Sequence, residues 1–183
     1  MKTRKKELRK LILSRKAKYS AAILKELSEE ILLSVEEHPV FQQAQIILLY
    51  YSMKDEVYTH SFIEKWSQSK QIILPVVVGE ELELRVYTHK EELKTGAYGI
   101  LEPTGILFTD YTSIDLAIIP GVGFDTEGRR LGRGKGYYDR LLPQLTAVKW
   151  GICFPFQVIE EIPTEEFDIC MDKVITGKSE SSI

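Results

Sequence analysis

Apolar positions along the chain follow two spacings, one typical of helices and one typical of buried strands. Leu8, Leu11 and Ile12 recur three and four residues apart and predict an N-terminal helix. Ser20 is a suitable N-cap for a second helix, which ends at His38 before Pro39. Helical spacing returns over residues 58–69 and residues 137–142.

Short apolar segments alternate with these helices. The continuous runs at 45–51, 72–78 and 114–119 predict strands buried on both faces. Pro75 in the second run suggests a bend or a sheet edge. Three more strands are predicted at residues 82–87, 148–154 and 173–176, and the first of these alternates as a strand with one wet face does.

This alternation predicts a single α/β domain over residues 1–183, with a mainly parallel sheet flanked by helices in a Rossmann-like arrangement. Polar residues 176–183 are expected to form a frayed tail. In such folds, ligands bind beyond the carboxyl ends of the strands. We expect three segments at that edge: residues 52–56, residues 121–138 and the approach to Asp172.

The bulk composition excludes several classes of protein. With 183 residues, of which 44% are hydrophobic, the chain can bury its own core. Cys153 and Cys170 are too far apart in sequence to suggest a zinc site, and two cysteines do not make a disulfide framework. No apolar run reaches the roughly 18–20 residues of a membrane span, and no signal-type stretch follows the N-terminus. We therefore expect a cytoplasmic protein without a membrane partner.

Charge is unevenly distributed, although the net charge is only −3. Residues 1–18 contain nine lysines and arginines and one acidic residue, Glu7. Three interpretations are open for this basic helix: a solvated face, an arm that binds nucleic acid, and a clamp for phosphate. Charge alone favours the solvated face.

The strongest chemical signal follows the run at 114–119. Gly132, Gly134 and Gly136 occupy alternate positions, where each can bring backbone N–H groups close to an anion. Four cations lie in the same segment: Arg129, Arg130, Arg133 and Lys135. Arginine offers a planar fork to phosphate oxygens, and lysine offers a movable point charge. The pattern predicts that this segment, called here the glycine loop (residues 129–136), binds phosphate and leads into a helix. A mobile basic surface loop is the alternative.

Two common phosphate motifs do not fit this loop. A Walker loop requires Ser or Thr after Gly-Lys, but Gly136 follows Lys135. A dinucleotide fingerprint requires a glycine where Tyr137 stands. Acyl transfer is not indicated either, because the sequence contains neither Gly-x-Ser-x-Gly nor a Cys–His pairing. The histidines have no metal-ligand spacing and are assigned no chemistry (His38, His60 and His89).

Transfer of an ATP phosphate would require Mg²⁺, which carboxylates can hold. Asp139 at the end of the loop and Asp172 before the last strand are the first candidates, and Asp125 is a third. A capping or turn role fits any single aspartate equally well, and the neighbouring glycine loop is what favours Asp139.

Three segments, taken in order, resemble the 5-formyltetrahydrofolate cyclo-ligase family, also called methenyltetrahydrofolate synthetases. They are Lys5-Lys-Glu-Leu-Arg9, Tyr51-Ser-Met-Lys-Asp-Glu56 and the glycine-arginine segment over residues 120–140. The likeness continues to residues 172–176 and covers nearly the whole chain. The long segment is highly specific, whereas the N-terminal one would be weak alone.

The resemblance implies a role for each matching position. ATP would be bound by the N-terminal helix and the loop (Lys5, Lys6, Arg9, Arg130, Leu131, Gly132, Arg133, Gly134, Lys135, Gly136, Tyr137 and Tyr138). The folate would contact Tyr51, Met53, Glu56, Tyr98, Arg133, Gly134, Lys135, Gly136 and Tyr137. The catalytic residues would be Arg133, Lys135 and Tyr138, and Asp139 and Asp172 would hold Mg²⁺. Tyr98 stands where some relatives carry tryptophan, and Tyr51 where an aliphatic residue can serve.

The implied reaction is an ATP- and Mg²⁺-dependent cyclisation of 5-formyltetrahydrofolate to 5,10-methenyltetrahydrofolate, with release of ADP and phosphate. The formyl oxygen would attack the γ-phosphate, and N10 would then close the ring on an iminium phosphate and expel phosphate. Such a reaction needs no protein nucleophile, so catalysis rests on positioning and charge stabilisation. The resemblance thus implies a ligase of cyclo-ligase type whose partners are small molecules, not nucleic acids, and we expect a monomer.

Two other functions are compatible with parts of the sequence. The basic N-terminus could serve a nucleic-acid-binding module, whose affinity would fall steeply with salt. The sequence lacks the aromatic platform on which single-strand binders stack bases. A sugar-phosphate enzyme of related architecture would bind phosphate without depending on ATP.

Overall fold

The computed structural model describes residues 1–166 and 168–177, so most of the predicted tail over 176–183 lies outside this part. The α-helices of the described residues are α1 (Lys2–Lys16), α2 (Ala21–Glu36), α3 (Pro39–Gln43), α4 (His60–Trp66) and α5 (Tyr137–Leu141). Short 3₁₀ helices occur at Lys90–Glu92, Ala97–Gly99, Tyr111–Ser113, Leu142–Gln144 and Pro155–Gln157. Within the same residues, no helix has the length and apolar character that crossing a membrane requires.

A seven-stranded sheet forms the centre of the fold. The described residues form eleven strands, seven of which belong to this sheet: β1 (Ile46–Leu48), β2 (Gln71–Val78), β3 (Glu81–Val86), β4 (Lys94–Thr95), β5 (Leu101–Glu102), β6 (Leu107–Phe108), β7 (Leu116–Ile119), β8 (Gly123–Phe124), β9 (Arg130–Leu131), β10 (Val148–Ile152) and β11 (Lys173–Ile175). The sheet order is β11-β10-β7-β1-β2-β3-β6, and β4–β5 and β8–β9 form separate hairpins. All pairs from β11 to β2 are parallel, whereas β3 is antiparallel to β2 and β6 to β3. The predicted α/β class with a mainly parallel sheet is confirmed.

Local signals in the sequence account for several element boundaries. The Ser20 side chain accepts a hydrogen bond from Ile23 N at 3.2 Å and caps α2, as predicted. Pro75 lies in the half of β2 that extends past β1 and is paired there with β3, which is the edge-like position predicted for it. The first apolar run is a strand for only three residues, because the chain leaves the sheet after Leu48 and turns towards the functional site.

Alternate residues of the central strands point to opposite layers of the core. Ile47 packs in the layer that includes Ile31 of α2, whereas Leu48 packs in the layer that includes Phe124 of β8. A third cluster joins α1 to the β8–β9 hairpin through Leu8, Ile12 and Leu131. The basic helix α1 is therefore held against the hairpin from which the glycine loop extends.

The contact between Phe124 and Gly151 of β10 brings the β8–β9 hairpin against the sheet. A Cβ atom at position 151 would lie 2.4 Å from Phe124 Cε1, and Phe124 is fully buried. We expect Gly151→Ala to lower the free energy of unfolding by about 1–3 kcal/mol, as overpacking of a core does. Urea denaturation measures this, and Gly151→Ala combined with Phe124→Leu should lose less than the sum of the two single changes. An unchanged midpoint for Gly151→Ala would contradict the close packing.

Candidate active site

A pocket of about 300 Å³ opens beyond the carboxyl ends of β1 and β7. Its walls come from α1, the turn after β1, strands β2 and β3, the β4–β5 hairpin, the glycine loop, and Thr164, Asp168 and Ile169. All three segments expected at this edge contribute to the pocket: residues 52–56, residues 121–138 and, on the approach to Asp172, Asp168 and Ile169. Most of the residues named from the sequence line it: Lys5, Arg9, Tyr51, Met53, Glu56, Tyr98, Arg130, Gly132, Arg133, Gly134, Lys135, Gly136, Tyr137, Tyr138 and Asp139.

Helix α1 supplies cations to this pocket. Arg9 Nε donates a hydrogen bond to Gly132 O at 2.8 Å, which ties the helix to the loop across 123 residues of sequence. Lys5 Nζ lies 3.8 Å from Asp168 Oδ2, and both residues line the pocket. Lys6 is exposed and does not line the pocket, and Leu131 is buried in the cluster under α1.

The glycine loop depends on backbone conformations that other residues rarely adopt. Gly134 and Gly136 have φ angles of 99° and 75°, in the left-handed region that glycine enters without strain. A Cβ atom on Gly134 would also lie 3.5 Å from the Arg9 guanidinium. The alternating glycines therefore shape a close turn beside Arg9, and the Arg133 and Lys135 side chains project from it.

Arg130 is the most enclosed cation of the site, with only 7% of its side chain exposed. Its Nη1 donates to Pro120 O and its Nη2 to Asp139 Oδ1, each at 3.0 Å, and its guanidinium lies 5.3 Å from the centre of the Tyr138 ring. Arg130 Nε is buried and has no hydrogen-bond partner within the described part of the chain. A buried donor without a partner is unfavourable, and a ligand oxygen would satisfy it.

The three aspartates considered for a metal lie in different surroundings. Asp139 lines the pocket, where Arg130 pairs with it. Asp125 is buried, and its carboxylate accepts hydrogen bonds from the backbone N–H groups of Glu127, Arg129 and Ile162 at 2.9–3.0 Å. Its role is to organise the hairpin turn, and these bonds leave it poorly suited to bind a metal.

Asp172 itself does not lie at the carboxyl edge, although Asp168 and Ile169 on the approach to it line the pocket. Asp172 precedes β11, and its Oδ2 accepts a hydrogen bond from Lys149 N at the start of β10, at 2.8 Å. Because β10 and β11 are parallel, Asp172 lies at the amino ends of the strands, away from the pocket. A single magnesium site formed by Asp139 and Asp172 does not fit this geometry.

Glu56 and two tyrosines form the more enclosed side of the pocket. Glu56 Oε1 accepts a hydrogen bond from Met53 N at 2.8 Å, and its Oε2 lies 3.8 Å from Arg133 Nη2. Burial raises the pKa of Glu56, although Met53 N–H and Arg133 oppose this change. Burial is the main cause of a raised pKa at Tyr50 and Tyr138, and the negative charge of Glu56 is the second cause. Both hydroxyls therefore stay protonated at neutral pH and can donate hydrogen bonds.

The β4–β5 hairpin places Tyr98 at the mouth of the pocket. Among the residues described, Tyr98 is the one non-glycine residue with a positive φ, 57°. Its hydroxyl lies 3.2 Å from the Tyr137 hydroxyl, and Lys135 Nζ lies 5.7 Å from the centre of its ring. The hairpin is held to β2 by Glu102, whose carboxylate accepts from Val77 N and Ala97 N at 3.1 and 2.9 Å.

Several residues of the pocket escaped sequence reasoning. Tyr50 is hidden inside an apolar run, where its hydroxyl carries no distinguishing signal. Glu102 and Asp168 come from segments with neither a motif nor a periodic pattern. His60, to which the sequence assigned no chemistry, stacks on Tyr51 with ring centres 3.7 Å apart and supports that wall.

The fold and the site together define a class: an α/β protein with a pocket for an anionic small molecule at the carboxyl edge of a parallel sheet. Comparison with known proteins narrows this class. The sequence model of the 5-formyltetrahydrofolate cyclo-ligase family matches residues 1–177. The chain belongs to this family of ligases.

Relatives match along most of their length. A probable 5-formyltetrahydrofolate cyclo-ligase of Schizosaccharomyces pombe is 31% identical, with 96% of each chain covered. The NMR structure of Aquifex aeolicus 5,10-methenyltetrahydrofolate synthetase is 37% identical with a TM-score of 0.84, covering 93% of this chain and 88% of that one. A 5,10-methenyltetrahydrofolate synthetase from Mycoplasma pneumoniae is 29% identical with a TM-score of 0.76, covering 95% and 99%.

The raised pKa of Glu56 predicts a pH dependence of stability. Because its folded-state pKa lies above that of the unfolded chain, its stabilising contribution is complete below about pH 4.3 and is lost as the pH rises through the folded-state pKa. Glu56→Gln cannot ionise, so the variant should gain stability relative to the wild type over that range. Urea denaturation from pH 4 to pH 7 measures the difference. Glu26→Gln, at an exposed position of α2, controls for the loss of one charge, and a pH-independent difference for Glu56→Gln would contradict the prediction.

Proposed function

We propose that this protein converts 5-formyltetrahydrofolate to 5,10-methenyltetrahydrofolate in a reaction that consumes ATP and requires Mg²⁺. One observation carries the proposal. In a chain of the cyclo-ligase family, the cations of α1 and of the glycine loop meet Glu56 and the pocket tyrosines in one cavity. The cations suit a polyphosphate, and the carboxylate and aromatic rings suit a folate.

The phosphate end of the proposed complex lies between α1 and the loop. Lys5, Arg9, Arg130 and Lys135 line the pocket there, and Arg130 Nε offers an unpaired donor. These groups fit the donor set that binds phosphate oxygens in other proteins. For Lys6 and Leu131, a role in binding ATP stays a prediction from the family resemblance.

The folate end lies beside the turn after β1. A carboxylate accepts paired hydrogen bonds, so Glu56 can engage the N–H groups of the pterin. Met53 and Tyr51 line the same wall, and Tyr98 and Tyr137 face it from the mouth of the pocket. These aromatic rings offer faces on which a pterin could stack, which supports the assignment of this end to the folate.

The proposed chemistry follows from this arrangement. The formyl oxygen attacks the γ-phosphorus of ATP and ADP leaves, which gives an iminium phosphate at N5. N10 then attacks the formyl carbon and loses its proton, and the C–O bond to phosphate breaks. Arg133 and Lys135 would stabilise the negative charge that develops on the transferred phosphoryl group. Tyr138, which stays protonated, would donate a hydrogen bond to an oxygen and would not act as a base.

Mg²⁺ would neutralise phosphate charge when bound. No group of three potential ligand side chains (His, Cys, Asp or Glu) occurs among the described residues. Mg²⁺ bound with a nucleotide takes one or two carboxylates and completes its shell with phosphate oxygens and water. Asp139 in the pocket meets that requirement, and we propose it as the protein ligand. The expectations of a monomer and of a cytoplasmic location stay predictions.

The central experiment mixes the protein with 5-formyltetrahydrofolate, ATP and Mg²⁺ and follows the absorbance of methenyltetrahydrofolate. We expect product only when all three are present. Lys135→Ala should lower kcat by about 10²–10³-fold, on the order of 3–4 kcal/mol, as loss of a charge-stabilising donor does. Lys10→Ala, an exposed lysine outside the pocket, is the matched control. Folded protein without product, or product without ATP, would exclude the proposed reaction.

A Mg²⁺ titration of the activity distinguishes Asp139 from Asp172 as the metal ligand. Asp139→Asn should raise the Mg²⁺ concentration required for half-maximal activity by about tenfold or more, because it removes a charged ligand beside the phosphates. Asp172→Asn should leave that concentration unchanged and lower stability instead, because its carboxylate accepts from Lys149 N. The reverse pattern would place the metal at the amino end of β11.

A further inference from the structure

Asp55 contacts Arg133 from outside the substrate pocket. Arg133 Nη2 donates to Asp55 Oδ1 at 2.7 Å, the shortest of the ion pairs recorded around the loop. Asp55 is absent from the lining of the 300 Å³ pocket and lines a second cavity of about 200 Å³, and Arg133 lines both. Asp55 therefore contacts Arg133 from the second cavity and does not itself line the proposed substrate pocket.

Two further contacts hold Asp55 in place. Lys16 Nζ of α1 lies 3.8 Å from Asp55 Oδ2. The turn that carries Asp55 is closed by a hydrogen bond from Glu56 N to Met53 O at 3.1 Å and by one from Met53 N to Glu56 Oε1 at 2.8 Å. Although burial raises the pKa of Asp55, the hydrogen bond and charge of Arg133 and the charge of Lys16 hold it below its ordinary value. The carboxylate is thus ionised at neutral pH.

Arg133 needs such an anchor. It lies between Gly132 and Gly134, so the backbone on both sides has few restraints of its own, and 42% of the side chain is exposed. The next carboxylate is Glu56, whose Oε2 lies 3.8 Å from Arg133 Nη2. Without Asp55, Arg133 would be drawn to Glu56, and that carboxylate would then be less available to a substrate.

We propose that Asp55, backed by Lys16, is a positioning residue that holds the Arg133 guanidinium towards the pocket and keeps Glu56 available to bind substrate. This inference rests on the proposed function, because it assigns Arg133 and Glu56 to the same reaction. It adds a residue that contacts no ligand and acts through Arg133 alone.

The test is a double-mutant cycle on the cyclo-ligase reaction with Asp55→Ala, Arg133→Ala and the combined variant. We expect Asp55→Ala to lower kcat/KM about tenfold or more, with a rise in KM for 5-formyltetrahydrofolate. The combined variant should be no worse than Arg133→Ala, since Asp55 acts through Arg133. Additive losses would point to an independent structural role and overturn the proposal, as would wild-type kinetics for Asp55→Ala beside an impaired Arg133→Ala.

Conservative changes keep the test decisive if Asp55→Ala does not fold. Asp55→Asn retains the shape and one acceptor, and should show the same rise in KM, smaller in size, with an unfolding midpoint near that of the wild type. Lys16→Ala should shift KM in the same direction by a few-fold, whereas the exposed Lys10→Ala on the same helix should not. Unchanged KM in both Asp55→Asn and Lys16→Ala would also overturn the proposal. An inactive wild type would instead count against the proposed function.

Discussion

The buried carboxylate of Asp125 holds the base of the site together. It accepts hydrogen bonds from the N–H groups of Glu127 and Arg129 within its own turn and from Ile162 N in a distant segment. Truncating this side chain would leave these N–H donors without their acceptor, which is unfavourable. The β8–β9 hairpin and the segment around Ile162 are thereby joined before any ligand contributes.

The other parts of the pocket are arranged around that hairpin. Phe124 presses the hairpin against Gly151 of the sheet, and Leu131 provides the apolar surface on which α1 packs. Arg9 then connects α1 to the loop through Gly132 O. The cations of the site lie where these pieces meet, so apolar contacts and backbone hydrogen bonds bring them together and nearby carboxylates orient their side chains.

The fold could be predicted from the sequence because long apolar runs and helical spacing carry a strong periodic signal. The β4–β5 and β8–β9 hairpins could not, since strands of two residues leave no period to detect. The glycine loop was found because its residue types are unusual, and its neighbours Tyr50 and Glu102 were missed because theirs are ordinary. Asp172 was misplaced because a residue that precedes a parallel strand lies at the amino edge of the sheet, opposite the ligands.

The tie between Arg9 and Gly132 spans 123 residues, and the contact between Lys5 and Asp168 spans still more of the chain. Contacts this distant in sequence form late, because the entropy of closing long loops must be overcome first. During synthesis the basic helix emerges long before the segments it will contact. The sheet is subject to the same limit, because β10 and β11 are the last of its strands to be made. We therefore expect a growing chain to complete neither its sheet nor its pocket until nearly the entire polypeptide has left the ribosome.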